Sequence, residues 1–342
     1  MANTTKTKRT TEAKMKIGVL TSGGDAPGMN AAIRSIVRKA LFHGCEVFGI
    51  KRGFSGILEG DMVKMDSRSV GDILQRGGTI LQSARCLEFK TPEGQALAKE
   101  QLEKLGLNGL VIIGGDGSFH GAQVLNKMGF QTVGIPGTID NDIGCTDYSI
   151  GFDTAVNTVL DAMNKVRDTA SSHNRTCVIE VMGKNAGFIA VSAALTGGAE
   201  AVLVPEIPCD LEGLAAQIMA NTSRKKSHSI VLVAEGLFGD PNNIEHSSSF
   251  KVGNYLSLRT GLDVRITILG HLQRGGTPSF FDRKIATLMG AKAVDLLLAG
   301  ESEKMVGYTN NQISVCNLDE AINTKKSLNP AELELVNIMA NV

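Results

Sequence analysis

From Met15 onward, short apolar runs alternate with segments whose apolar positions recur every three or four residues. The runs read as strands at Lys16–Leu20, Glu46–Ile50, Leu110–Gly114, Thr132–Pro136, Cys177–Val181, Ala201–Pro205, Ser229–Glu235 and Arg265–Gly270. Helices are predicted at Met29–Leu41, Ala155–Thr169, Leu211–Ser223 and Arg283–Leu298, the last carrying Ile285, Leu288, Met289 and Val294 on one stripe. Strand, helix and strand in turn is the pattern of parallel sheets covered by crossover helices. The predicted class is α/β: two Rossmann-like lobes with mostly parallel sheets flanked by helices, and the active site in the cleft between them, at the carboxyl ends of the strands. Connections are short except for the polar stretch Gly236–Phe250, which reads as a surface loop.

Composition narrows the partners. The 35 basic and 35 acidic side chains cancel, so no global field draws the chain to nucleic acid, and no run approaches the roughly 18 apolar residues of a membrane span. The six cysteines are scattered singly, without zinc spacing or a disulfide framework, which fits a reducing, cytoplasmic setting. The run MANTTKTKRTTEAK lacks an apolar core, so residues 1–14 read as a disordered extension rather than a secretory signal. The 39 glycines among 342 residues exceed the usual share of about 7% and point to tight turns or close backbone approach to a ligand.

Three strand-to-glycine turns carry the candidate chemistry. In TSGGDAPGMNAAIR, Gly23, Gly24 and Gly28 open a helix, with Pro27 near its first position; free N–H groups and a positive dipole end there suit a phosphate. A ligand-free glycine turn is the alternative. In GGDGS the carboxylate of Asp116 beside such a cradle calls for an intervening cation, making it a Mg²⁺ ligand, direct or through water; a helix cap near Ser118 is the other reading. In GTIDND, Thr138, Asp140 and Asp142 alternate, so extended backbone would point a hydroxyl and two carboxylates to one place. One carboxylate would then take a proton from a substrate hydroxyl while its neighbour holds water or metal. Ordinary turn residues after Pro-Gly are the alternative. Arg85, Arg175, Lys184, Arg265, His271 and Arg274 lie at strand ends or in loops, as a doubly phosphorylated ligand would require. Glu235, closing a long apolar strand, would accept from sugar hydroxyls.

The segments KIGVLTSGGDAPGMNAAIR, RGGTILQSAR, GGDGS, GIPGTIDNDI, RDTASSHNR, VIEVMG and ILGHLQRGGTP together resemble ATP-dependent 6-phosphofructokinases of the bacterial type, from Met15 to about Val306. The resemblance implies phosphoryl transfer from MgATP to the 1-hydroxyl of fructose 6-phosphate, the committed step of glycolysis. It places Gly24, Arg85, Cys86, Gly115, Asp116, Gly117 and Ser118 at ATP, with Asp116 on Mg²⁺. Asp140 becomes the general base, with Thr138 and Asp142 beside it. Met182, Gly183, Lys184, Glu235, His271 and Arg274 hold the sugar phosphate, joined by Arg175 and Arg265 from a neighbouring subunit, so that a homotetramer completes its sites across an interface. The implied partition is a larger ATP-binding lobe, 15–151 with about 273–323, and a smaller fructose 6-phosphate-binding lobe, about 152–272 with 324–342.

Two departures stand out. Lys184 occupies the place of the family's usual arginine, a point charge instead of a bidentate fork. At the family's effector site Arg34, Arg38, Arg167, Glu200, Arg224 and Lys226 match, but Ser67 and Ser227 replace cations, which predicts weakened effector control. Pyrophosphate users in the resemblance carry Asp at 117 and Lys at 137; glycine at both places predicts ATP as donor. The competing readings are a pyrophosphate-dependent enzyme and a catalytically silent nucleotide-binding subunit.

Overall fold

The computed structural model describes residues 14–224, 226–238 and 247–341. Its strands are β1 (Lys16–Thr21), β2 (Glu46–Ile50), β3 (Met62–Met65), β4 (Gly109–Gly114), β5 (Gln131–Pro136), β6 (Thr176–Val181), β7 (Ala201–Leu203), β8 (Ser229–Ala234), β9 (Val264–Ile268), β10 (Lys304–Thr309) and β11 (Gln312–Asn317). Its helices are α1 (Met29–Phe42), α2 (Phe54–Glu59), α3 (Pro92–Leu105), α4 (Asp116–Lys127), α5 (Phe152–His173), α6 (Phe188–Gly197), α7 (Leu211–Ser223), α8 (Ser248–Thr260), α9 (Phe280–Leu298), α10 (Leu318–Asn323) and α11 (Pro330–Asn341).

The strands form two sheets, β11-β10-β5-β4-β1-β2-β3 and β7-β8-β6-β9. Every pairing is parallel except those of the edge strands β3 and β11. Central strands are buried along their whole length because helices cover both faces: β4, β6 and β8 have no exposed residue, the buried Glu180 of β6 being their one charged side chain. Order reverses at β1, which pairs with β2 on one side and β4 on the other. The crevice outside the carboxyl ends of these two strands is the place where open α/β sheets bind ligands.

All eight expected strands and four expected helices are present; β2 and α7 keep their expected bounds, and the others differ at one or both ends. Pro27 lies outside α1, which begins after a left-handed Gly28 cap. The expected loop at Gly236–Phe250 is narrower than its sequence implied. A 3₁₀ turn spans Glu235–Phe238, and α8 begins at Ser248, its first turn anchored where the buried Glu180 carboxylate accepts from Ser249 N at 2.8 Å. The centre of that loop, 239–246, and residues 1–13 of the expected extension lie outside the described residues. No helix among the described residues is long and apolar enough to cross a membrane, and all six cysteines are free.

Candidate active site

Loops leaving β1, β4, β5 and β6 close around a cavity of about 290 Å³. It is lined by Gly23 and Gly24, Arg85 and Cys86, Gly115 to Ser118, Thr138, Asp140, Lys184 and Arg274, with Phe54 and Lys90 at its wall. Both sheets contribute, so the cavity lies in the cleft between them. Backbone geometry builds the floor. Gly115 caps α4 without a side-chain hydrogen bond, as Gly28 does for α1, leaving first-turn N–H groups toward a ligand. Asp116 is the first residue of α4 and caps nothing; its exposed carboxylate lies 3.8 Å from His120 Nε2.

A side chain at Gly24 would have to displace the Arg274 guanidinium. A Cβ there would sit 2.2 Å from Arg274 Nη1, because the guanidinium crosses the loop to donate to Asp25 O at 3.2 Å. One cation thereby reaches from the segment after β9 to the glycine turn after β1.

Asp140 carries the distinctive electrostatics. It is 2% exposed, and its Oδ1 is buried without a hydrogen-bond partner. Lys184 Nζ lies 3.8 Å from Oδ2 on a side chain that is 63% exposed. A desolvated acceptor left open costs about 1–3 kcal/mol unless something fills it, so the position reads as reserved for a substrate donor.

Thr138, Asp140 and Asp142 do not lie on the extended backbone that their alternation predicts. β5 ends at Pro136, residues 139–140 form a turn, Asp140 N donates to Thr138 Oγ1 at 3.2 Å, and Asn141 adopts φ 54°. This is a folded turn, not extended backbone. Thr138 and Asp140 face the cavity, whereas Asp142 does not line it. Burial, then the neighbouring Asp140 charge, raises the Asp142 pKa.

Beside the cavity, Gly183 N and Lys184 N donate to Glu235 Oε1 at 3.2 and 2.8 Å, and Met182 N donates to Gln273 Oε1 at 3.2 Å. Burial pushes the Glu235 carboxyl up. Lys184 itself has φ 53°, so this turn presents its ammonium to Asp140 from strained backbone. His271 is exposed in the 3₁₀ turn Gly270–Arg274 and does not line the cavity.

Arg175 and Arg265 are not brought there. They flank Asp263 at 2.7 and 3.0 Å, at the opposite ends of β6 and β9 from the cavity, and hold its carboxyl below the usual range. The effector candidates divide as well. Arg34 and Arg38 lie on α1; Arg167 donates to Gly197 O and to Gly198 O at 3.2 Å, and Lys226 stands 3.7 Å from the buried Glu200. Arg224 caps α7.

The two glycines tied to donor choice differ. A Cβ at Gly117 meets nothing within 4 Å, so a side chain there enters open space. Gly137 lines the same cavity, and a Cβ there would meet Ile113 Cγ2 at 2.9 Å and Met29 Cε at 3.2 Å, so a side chain requires those side-chain ends to shift. Sequence reading also missed Phe54 and Lys90. Phe54 stacks on Phe89 at 4.6 Å and offers an apolar surface next to the polar floor; nothing in its sequence context marks it.

Comparison with known proteins gives a family model described as Phosphofructokinase over residues 16–297. The chain is 54% identical over 329 residues to the ATP-dependent 6-phosphofructokinase of Halothermothrix orenii, covering 95% of this chain and 99% of that protein. It is 50% identical over 322 residues to ATP-dependent 6-phosphofructokinase 1 of Clostridium perfringens, covering 94% and 98%. The structure of phosphofructokinase from Saccharomyces cerevisiae superposes with TM-score 0.83 at 34% identity, over 96% of this chain and 48% of that one, so this chain spans about half its length. A pyrophosphate-dependent phosphofructokinase from Marinobacter aquaeolei (TM-score 0.80, 21% identity, 96% and 91% covered) shares the fold.

Proposed function

The chain belongs to the phosphofructokinase family, and on that premise we propose that it transfers the γ-phosphoryl of MgATP to the 1-hydroxyl of fructose 6-phosphate in the cytoplasm, yielding fructose 1,6-bisphosphate and ADP. The observation carrying this reading is the buried, unpartnered Asp140 Oδ1 in a cavity that the N-terminus of α4 also lines. Asp140 accepts the hydroxyl proton as the O–H bond breaks and the new O–P bond forms. The Lys184 ammonium, next to Asp140, faces the charge that spreads over the transferring phosphoryl. N–H groups at the start of α4 hold the nucleotide phosphates, and Gly24, Arg85 and Cys86 border the same cavity. Glu235, Met182, Gly183, His271 and Arg274 receive the sugar phosphate.

Mg²⁺ fits these residues. Among the described residues no three ligating side chains cluster, and Mg²⁺ characteristically takes one or two carboxylates and otherwise waters and substrate phosphates. Asp116 would hold it, directly or through water, and the ion would neutralise phosphate charge.

Arg175 and Arg265 serve a neighbouring subunit in this reading, since strand length keeps them from their own cavity; that supports a homotetramer with sites completed across an interface. The larger lobe, 15–151 with about 273–323, corresponds to the seven-stranded sheet. The smaller, about 152–272 with 324–342, corresponds to the four-stranded one, against which α11 packs through α6 and β7. Arg34, Arg38, Arg167, Glu200, Arg224 and Lys226 are assigned to an effector site.

A coupled assay with fructose 6-phosphate and either ATP or pyrophosphate tests the reading. ATP should be preferred in kcat/KM by at least about 100-fold. Equal use of both donors, or no turnover with ATP, would overturn it.

A further inference from the structure

The turn that aims Asp140 is held by a carbonyl one loop away. Asp147 O accepts from Asn141 Nδ2 at 3.1 Å and from Lys326 Nζ at 2.6 Å. Asn141, next in chain to Asp140, is left-handed, and its Oδ1 accepts from Ser149 N at 2.9 Å. The Ser149 hydroxyl lies 2.7 Å from Thr138 O. Both flanks of Asp140 are thus tied to the 147–149 segment, and Lys326 grips that segment from outside.

Lys326 comes from the stretch between α10 and α11. That stretch abuts the same loop: a Cβ on Gly144 would lie 2.4 Å from Thr324 O. The ammonium also sits 5.2 Å over the ring of Phe188, the first residue of α6 and four residues beyond Lys184. One side chain therefore touches the loop of the seven-stranded sheet that bears Asp140 and the helix following the Lys184 turn. Burial pulls its pKa down to about 8, opposed by the facing Asp147 and Asp142.

We propose that Lys326 is a positioning residue for phosphoryl transfer, a cationic strut that fixes Asp140 relative to Lys184 across the cleft. It does not line the cavity, and the proposal rests on reading Asp140 as the base. A misplaced reacting group loses rate without losing ligand affinity, so the signature is in kcat.

The test compares Lys326→Met, which keeps the apolar stem, Lys326→Arg, which keeps cation and donor, and Phe188→Leu, each in the full-length enzyme and with Asp140→Ala as partner mutation. Lys326→Met should lower kcat about tenfold with ATP KM within about twofold. Lys326→Arg should recover at least about half of the lost kcat, and Phe188→Leu should repeat the signature at about threefold. In the Asp140→Ala background Lys326→Met should cause no further loss, because nothing remains to be aimed. Wild-type kcat in both Lys326→Met and Phe188→Leu, or an equal loss with and without Asp140, would overturn the proposal. Failure of the underlying reading looks different: Asp140→Ala alone would retain kcat. Should Lys326→Met not fold, the Phe188→Leu and Lys326→Arg arms decide by the same criteria.

Discussion

Replacing Gly117 by aspartate should separate nucleotide use from sugar binding. Position 117 is the second residue of α4, and a Cβ there meets nothing within 4 Å, so the substitution needs no repacking. Its charge lies at a helix N-terminus, where a carboxylate is favoured by about 0.3–1 kcal/mol, so the fold should not be weakened. On the proposed nucleotide site, the same charge stands where the polyphosphate would meet backbone N–H groups. At a separation of about 5 Å and an effective dielectric of about 20, one carboxylate against one phosphate charge costs about 3 kcal/mol. By the conversion of about 1.4 kcal/mol per tenfold, ATP kcat/KM should fall more than about a hundredfold. Fructose 6-phosphate binding, measured calorimetrically without nucleotide, should be unchanged. Gly117→Asn, similar in shape but neutral, should lose under about tenfold, which separates charge from bulk. A Gly117→Asp enzyme with normal ATP kinetics, or an equal loss in the asparagine variant, would refute the electrostatic reasoning.

Three further outcomes are expected. Asp140→Asn should lower kcat by about 10²- to 10⁴-fold with ATP KM nearly unchanged in steady-state assays, and retention of more than about a third of wild-type kcat would remove it as base. Lys184→Ala should lose about 10- to 1,000-fold in kcat while Lys184→Arg keeps substantial activity; an alanine variant equal to wild type would show that this cation does not face the phosphoryl. Asp282 accepts from Gly151 N and Thr154 N, each at 2.8 Å, and from the Thr154 hydroxyl, pinning the start of α5. Asp282→Asn should therefore cost about 1–3 kcal/mol at pH 7 by chemical denaturation. Burial raises the Asp282 pKa to about 6, so the folded state binds its proton more tightly than the unfolded chain. The resulting stability is complete below the ordinary value of 3.8 and is lost as pH rises through about 6. Thermal melts should show the variant lacking this change as pH is raised from about 4 to 7; identical pH dependence would contradict it.

Much of this was legible because parallel strands buried on both faces are written as unbroken apolar runs. The edges were not. β3 and β11 escaped because half-exposed edge strands carry weak patterns, β11 being exposed or only partly buried throughout; β10 is not an edge strand, being buried from Met305 to Tyr308 between β5 and β11, and was missed as well. The β10–β11 hairpin did leave a signal, since Asn310 and Asn311 both take positive φ in a two-residue turn. Asp140 was found through a false intermediate. Alternation placed it with Thr138 and Asp142 on an extended strand, whereas the left-handed Asn141 turns the chain and removes Asp142 from the lining. Lys326 had no local signal, because its partners lie 179 and 138 residues away, at Asp147 and Phe188.

The pairing of β10 with β5 bears on how the chain is made. Lys304 registers with Val133, a separation of 304 − 133 = 171 residues. The four-stranded sheet is encoded between them. At about 5–20 residues per second, a nascent chain displays the free edge of β5 for about 9 to 34 seconds before its neighbour exists. An open apolar edge invites pairing with another chain, so the ribosome-bound intermediate, more than the finished enzyme, is where aggregation competes with folding. Substitutions that slow synthesis or folding of 152–272 should lower soluble yield while leaving the purified protein as stable as before.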